Sequence, residues 1–409
     1  MKNPLKGALA RARFRQQPAP LRFAIADRVD FLVARDWDAV TAHRGLFLSR
    51  GYLRELAAAR PQNLDLRFAL LYRDDEPVAA LVLQLVELDG AQLHGPATGK
   101  GLRGLVSRAV TKVVDRIHTR ILVVGNLLTY GNHGIAIRPG LEADPAVWHG
   151  IGEAAYRVRR AEKHVGTADF VLVKDLDDAG LEQSALLRDL GFRPIATEPD
   201  MVLDLDAKWR SYDDYLAALT GKYRKNVKSR VLTPIDAAGL SVRDLPDVAA
   251  AAPRLHELYL AVHANAPVRP MTLAPDYWTA LARSAGDRLR CAVVARDERL
   301  LGFVMTVRAD DTTALAYHIG FDREAAADAP LYLRLLHRTV ADGIALGARR
   351  LSFGRTALEP KAALGAKPAP LHVWVRHRQG VLNKLLRGLL GRIHPEAPPE
   401  RNPFPEASS

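Results

Sequence analysis

At 409 residues, 48% of them hydrophobic, the chain is long enough to bury two separate cores. Its 58 basic and 46 acidic residues leave a formal charge of +12, which favours an anionic partner: nucleic acid, a phosphate-rich donor or anionic lipid. The single cysteine, Cys291, excludes disulfide stapling and any multi-cysteine metal site. It lies in the apolar run CAVVA and reads as a small buried residue; no metal is expected.

No segment reaches the ~18 continuous apolar residues of a membrane span, and the start of the chain lacks the apolar core of a signal peptide. The expectation is a cytoplasmic protein. Residues 1–22 form a basic leader, with Lys2, Lys6, Arg11, Arg13, Arg15 and Arg22 and no acid. Residues 379–409 combine a Pro-rich tail with an amphipathic helix, Leu382, Leu385, Leu386, Leu389 and Ile393 on one face and Lys384, Arg387 and Arg392 on the other. That pattern suits a helix capping the core, or a peripheral contact with an anionic membrane at its inner face.

Between these ends, Trp37 to Arg60 reads as helical, and FALLY and VAALVLQLVEL form a hairpin across Arg73-Asp74-Asp75-Glu76-Pro77. A helix follows over 102–119, then the strand ILVVG and a Gly- and Asn-containing segment, Asn126 to Gly134. Trp148, Ile151, Ala155 and Val158 recur at helical spacing, so Pro145 to His164 is an amphipathic helix with proline in its first turn. Phe170–Val173 is a strand, Leu181–Leu190 a helix stopped by Gly191, and Met201–Leu205 a strand closing the first domain.

The same order returns. Leu289–Ala295 and Leu301–Val307 form a hairpin across Asp297-Glu298; Thr313–Ile319 is a strand; Leu333, Leu336, Val340 and Ile344 mark a helix; strands follow at Leu351 and Leu371. Two passes of one pattern argue for internal duplication and for domains at 23–208 and 209–378. Ser211 to Leu240, opening the second, reads as a helix with an apolar stripe and a basic face of Lys222, Arg224, Lys225, Lys228 and Arg230. A phosphate backbone could lie on that face, or it is simply solvated.

The repeated order, with LRDLGFRPIATEPDMVLDL (Leu187–Leu205), resembles the Gcn5-related N-acetyltransferase (GNAT) fold. The tandem arrangement with its KYRKNV helix resembles the Fem-type peptidoglycan aminoacyltransferases and related bacterial acyltransferases of unknown substrate, and the segment GRTALEPKAALGA (Gly354–Ala366) is similar to one common in the second of these groups. The resemblance implies an α/β, mixed α+β architecture: two acetyltransferase-like domains, each a central mixed sheet flanked by helices. It also implies direct acyl transfer to an amine from a thioester on coenzyme A or a carrier protein. Aminoacyl-tRNA is the alternative donor, with a cell-envelope precursor as acceptor, and a non-catalytic binding protein on the same fold is the third reading.

Tyr317 and His318 occupy the strand before the main second-domain helix, as proton donor and base. Successive strand residues alternate faces, so at most one of them should reach a given cleft. Glu359 is a further candidate base, and Arg355 and Lys361 are candidates for holding a carboxylate or phosphate. In the first domain Asn126, Tyr130, Asn132 and His133 form either a second polar site or a loop that bonds to itself. The Arg/Gln-x-x-Gly-x-Gly/Ala cradle of coenzyme A users is absent before either main helix. Asp322, Glu324 and Asp328 stand where it would be in the second domain.

Overall fold

The computed structural model describes residues 13–89, 118–266, 269–383, 399 and 401–405. The helix expected over 102–119 lies outside the described residues except for its last two positions, which open a strand, and the first part of the basic leader and most of the C-terminal amphipathic helix also lie outside them. Among the described residues no helix is long and apolar enough to cross a membrane.

In chain order the strands of the first half are β1 (Arg22–Ala26), β2 (Leu64–Arg73), β3 (Glu76–Asp89), β4 (His118–Val124), β5 (Ile135–Ile137), β6 (Ala168–Leu176) and β7 (Arg193–Ala196). Those that follow are β8 (Asp200–Asp204), β9 (Ser241–Asp244), β10 (Leu289–Arg296), β11 (Arg299–Arg308), β12 (Thr313–Phe321), β13 (Arg350–Ser352), β14 (Lys367–Ala369) and β15 (His372–His377). The helices are α1 (Ala34–Thr41), α2 (Arg50–Ala58), α3 (Pro145–Ala161), α4 (Asp178–Gln183), α5 (Tyr212–Ala218) and α6 (Gly221–Val227). After these come α7 (Thr233–Ala237), α8 (Val248–His263), α9 (Tyr277–Ala285), α10 (Ala325–Asp328), α11 (Leu331–Ala345) and α12 (Leu358–Ala363).

The chain divides into two compact units, each built on a mixed sheet. In the first, the strand order is β1-β2-β3-β4-β6-β15-β7, with β5 also on β3 and β4 parallel to β6. Its helix α3 starts as the sequence requires: Asp144 accepts a hydrogen bond from the Ala146 N–H and Pro145 takes the first helical position, where an N–H has no partner to lose. Trp148, Ile151 and Val158 of that helix bury against Leu83, Leu122 and Val173. The expected long helix 37–60 is two helices, because Gly45 at φ 76° breaks it.

In the second unit the order is β14-β8-β13-β12-β11-β10-β9, with β12 parallel to β13. The two orders match, and both hairpins, β2–β3 and β10–β11, turn on an aspartate in the left-handed region, Asp74 at φ 53° and Asp297 at φ 52°. Duplication is therefore visible in topology and in turn chemistry.

One assignment is corrected. Met201–Leu205 does not close the first sheet: β8 pairs with β13 and β14 of the second unit, and β15 takes the equivalent place between β6 and β7 of the first. Trp374 of β15 is wholly buried in the first core, its Nε1 donating to Ser184 Oγ at 2.7 Å. Among the described residues the second compact unit accordingly opens at Pro199, with 370–383 in the first unit and 399 and 401–405 in the second.

The basic segment after Ser211 is also more broken than expected. Leu219 and Thr220 are extended, separating α5 from α6. Pro234 is accommodated within the helical run, since Lys228–Leu232 opens into a wide π turn ahead of it, and Gly239 at φ 65° ends the run.

Candidate active site

In the second unit β12 and β13 pair only at Thr313–Arg350, Ala314–Leu351 and Leu315–Ser352. Beyond that β12 runs on to Phe321, while the other chain follows β8, with hydrogen bonds between Phe353 and Met201 and between Met201 and Gly354. The strands splay. Ala316–Phe321 thus has no β13 partner, and a carbonyl placed in the gap would meet backbone groups of an open strand edge.

The register against β11 slips by one residue in the same stretch, Met305 facing His318 but Thr306 facing Ala316. Tyr317 is the extra residue, a β-bulge. Its effect is visible in the packing: Ala314 and Ala316 join Leu336 and Val340 of α11, but past the bulge it is Ile319 and Phe321 that lie with Leu331 and Leu335. Alternation is reset, so Tyr317 and His318 share the opposite face. Their ring centroids are 4.1 Å apart, against the expectation that only one could reach a given cleft.

Helices α8 and α9 supply the rest of this site. The Tyr277 hydroxyl lies 2.7 Å from that of Tyr317 and 3.5 Å from His318 Nε2. Trp278 sits edge-on to His318 and to Phe303, and donates its Nε1 to His256 Nδ1 at 3.2 Å. Gly320 lets α8 come close, since a Cβ there would stand 2.6 Å from the Tyr259 nitrogen. His318 is only partly buried as a residue, yet its ring is walled by these aromatics, and desolvation takes its pKa down to about 3. It is neutral at pH 7, and is not the near-neutral base that its residue type promised.

The Arg355–Lys361 segment lies at the end of β13 and is divided in its roles. Gly354, Thr356 and Ala357 all have positive φ, at 72°, 64° and 45°, two of them non-glycine residues in a strained conformation. Lys361 is buried and its Nζ donates to the Gly354 carbonyl at 3.0 Å and to the Arg355 carbonyl. The carboxylate of this cluster is not Glu359 but Asp200 of β8, which accepts from Ser352 Oγ at 2.7 Å and from the Gly354 N–H at 2.9 Å. Burial raises the Asp200 pKa, opposed by those two hydrogen bonds and by the charges of Lys361 and Arg355. Glu359 itself is exposed and bound to Arg401 at 2.8 Å, which makes it a surface ion pair.

Asp322 Oδ1 accepts from the N–H groups of Glu324 and Ala325 at the start of α10, and Arg299 pairs with its carboxylate at 3.0 Å, so these two amides serve the protein's own acid, while the first turn of α11 has no side-chain cap. Lys222, Arg224 and Lys225 of α6 and Lys228 just after it are exposed and form no ion pair among the described residues.

In the first unit the strand line breaks into a loop at the corresponding place. Gly125 donates to the Val82 carbonyl and Val82 to that of Gly134, pinching 126–133 into an excursion. Asn126 is buried and its Oδ1 accepts from Leu128 N and from Gln84 Nε2; Asn132 Oδ1 accepts from Ile135 N. These two asparagines serve the loop itself. Tyr130 is 38% exposed, and His133 packs its ring 5.1 Å from Phe47. Beneath the loop a buried Lys174–Asp175 pair holds it, Lys174 Nζ donating to the Thr129 carbonyl at 2.8 Å and Asp175 accepting from Gly131 N at 3.2 Å.

The sequence reading omitted Asp200, His256, Tyr259, Tyr277 and Trp278. A signal existed in α8, where His256, Tyr259 and His263 fall at helical spacing on one face. Asp200 gave none, because its partners are about 150 residues away in sequence.

Paired mixed sheets with splayed parallel strands are the arrangement of a tandem acetyltransferase-type fold. Residues 221–362, which lie within the second unit, match the family described as an acetyltransferase (GNAT) domain. FemX is similar in structure at 10% identity and a TM-score of 0.55, over 89% of this chain and 99% of that one. A tandem GNAT protein from the clavulanic acid biosynthesis pathway is similar at 14% identity and a TM-score of 0.50, over 87% of this chain and 98% of that one. At these identities the likeness is one of fold: a tandem GNAT fold resembling the Fem type. No curated protein matches the sequence.

Proposed function

We propose that the chain moves an acyl group from a thioester, carried by coenzyme A or a carrier protein, onto an amine, with the reaction at the splay of β12 and β13. The observation that carries this reading is the bulge that brings Tyr317, His318 and Tyr277 together on the open stretch of β12. The amine nitrogen attacks the thioester carbonyl, the C–N bond forms and the C–S bond breaks, with a strand N–H facing the developing oxyanion. Tyr317 gives its hydroxyl proton to the departing sulfur. The proton shed by the amine restores Tyr317 through the Tyr277 hydroxyl, so the balance is one amide and one thiol. His318, neutral, positions the Tyr277 hydroxyl.

Arg355 is assigned to an anionic group of donor or acceptor, and Lys361 with Asp200 to holding the loop that carries it. Tyr130 and His133 are kept as candidates for a separate polar binding site within the first unit. The test is transfer of a labelled acyl group from coenzyme A and carrier-protein thioesters to a panel of amines. Transfer from neither donor, by a protein whose fold is intact, removes the thioester reading.

A second reading, aminoacyl transfer from tRNA to a cell-envelope precursor, is favoured by the exposed basic face of α6 and by the absence of the Arg/Gln-x-x-Gly-x-Gly/Ala sequence before α11. It requires tRNA binding that weakens steeply with salt, with a shallower slope when Lys222, Lys225 and Lys228 become glutamine. Salt-independent or absent binding removes it.

A further inference from the structure

In the first unit, the outer side of α3 carries a cleft of about 360 Å³ that is lined by Arg15, Gln16, His149, Glu153, Tyr156 and Arg376. A depression beside it shares Tyr156 and Arg376 and adds Arg159 and Arg378. Three arginines thus come together from the leader, from α3 and from β15. Arg15 and Arg376 converge over Gly191: a Cβ on that residue would lie 3.7 Å from Arg376 Nε and 3.9 Å from Arg15 Cζ. Gly191 has φ 91°, so the space between the two guanidinium groups stays open.

The partners of these cations are accounted for, and they are not carboxylates. Arg15 Nε donates to the Asp189 carbonyl at 2.9 Å. Arg159 lies over the Tyr156 ring at 5.6 Å and Arg376 over Phe192 at 5.8 Å. Among the described residues neither Arg159 nor Arg376 forms an ion pair. The acids nearby are engaged elsewhere: Glu153 accepts from Ala19 N and from Arg157, and Asp169 from Arg378. Partial burial and mutual repulsion pull the pKa of Arg159 and Arg376 below that of a free arginine, which is the mark of charge gathered without an internal counter-ion.

Like charges held together in a half-buried cleft destabilise a protein unless an anion joins them. Guanidinium forks match a phosphate's oxygens, the volume admits more than a bare phosphate, and Tyr156, 44% exposed, offers a ring for an organic substituent. We propose that this cleft binds a phosphate-bearing anion, a phosphate ester whose organic part lies along Tyr156. The ester is either a soluble phosphorylated compound or an anionic phospholipid headgroup. This site is independent of where acyl transfer takes place.

The experiment titrates the full chain with inorganic pyrophosphate at fixed ionic strength, by calorimetry and by thermal shift. In parallel it is sedimented with vesicles of phosphatidylglycerol in phosphatidylcholine, against phosphatidylcholine alone. Wild type should bind pyrophosphate and gain thermal stability; Arg159→Gln and Arg376→Gln should each weaken binding by about tenfold or more, and Arg138→Gln, on a distant surface pair, should not. Without ligand, the two cleft variants should melt no lower than wild type, since each removes repulsion; a packing role alone would lower melting and leave pyrophosphate affinity intact. Co-sedimentation with phosphatidylglycerol that pyrophosphate competes away identifies the headgroup; pyrophosphate binding without sedimentation identifies the soluble ester. Absence of both, or affinity unchanged in the Arg159→Gln/Arg376→Gln double variant, overturns the proposal.

Discussion

Tyr317 and His318 are consecutive in one strand, yet both rings lie against Tyr277, the Tyr317 hydroxyl 2.7 Å and the His318 Nε2 3.5 Å from its oxygen. A regular strand would send them to opposite faces; the one-residue bulge is what permits the arrangement. Replacing Tyr317 by Phe removes a single oxygen at that point. We expect turnover to fall roughly 100-fold, in the range of general acid–base contributions, with little change in melting temperature. Tyr277→Phe should have a smaller effect in the same direction. Steady-state rates beside thermal melts check both; an unchanged rate in Tyr317→Phe would show that the hydroxyl gives no proton.

The buried imidazoles predict a pH dependence of stability. Burial takes His318 and His337 down to about 3, His337 Nδ1 also lying 2.9 Å from the Tyr212 hydroxyl. Both values are below the unfolded value near 6.5, so the unfolded chain takes up protons first as pH falls. Their contribution is whole above pH 6.5 and is lost progressively towards pH 3. His337→Asn, which keeps an acceptor for Tyr212, should reduce proton uptake on unfolding near pH 5 by about one proton. Denaturant titrations at several pH values measure it.

Lys361 and Glu359 stand two positions apart, and their substitutions should separate cleanly. Lys361→Met removes the donor to two carbonyls and the charge beside buried Asp200, so it should cost about 3 kcal/mol or more. Glu359→Gln breaks an exposed pair with Arg401 and should cost within about 1 kcal/mol. Urea unfolding of the two variants decides; a large loss with Glu359→Gln would contradict this division.

The neck of the first unit's loop is set by two glycines in contact. A Cβ on Gly134 would stand 2.4 Å from both the Cα and the carbonyl carbon of Gly125. Backbone cannot yield as a side chain can. Gly134→Ala should destabilise the first unit by about 2 kcal/mol or more, and local hydrogen exchange in β3 and β5 should rise before the rest melts.

Much of this architecture was readable from local pattern. The hairpins announced themselves through apolar runs around Asp74 and Asp297, and α3 through its apolar spacing after Pro145. Other features depend on partners that local pattern does not name. The segment at Met201 looks equally like a strand in either sheet, and only the neighbours β13 and β14 decide. An added residue at Tyr317 leaves no trace in composition, although it determines which side chains meet. Glu359 looked like a base because it is a carboxylate near a strand end; Asp200 fills the buried position because the fold brings β8 alongside β13.

The places of β8 and β15 also bear on how the chain is made. Synthesis runs from the N-terminus, and a sheet missing an inner strand cannot complete its ladder. The first sheet must wait for His372–His377, by which time the ribosome has already delivered nearly all of the second unit. The earlier half therefore cannot complete its sheet until most of the later half has been made. A fragment ending at residue 208 would lack Trp374 and the strand that bears it, and would carry Asp200–Asp204 with no sheet to join, so gene dissection at the midpoint should yield two insoluble pieces instead of two working modules.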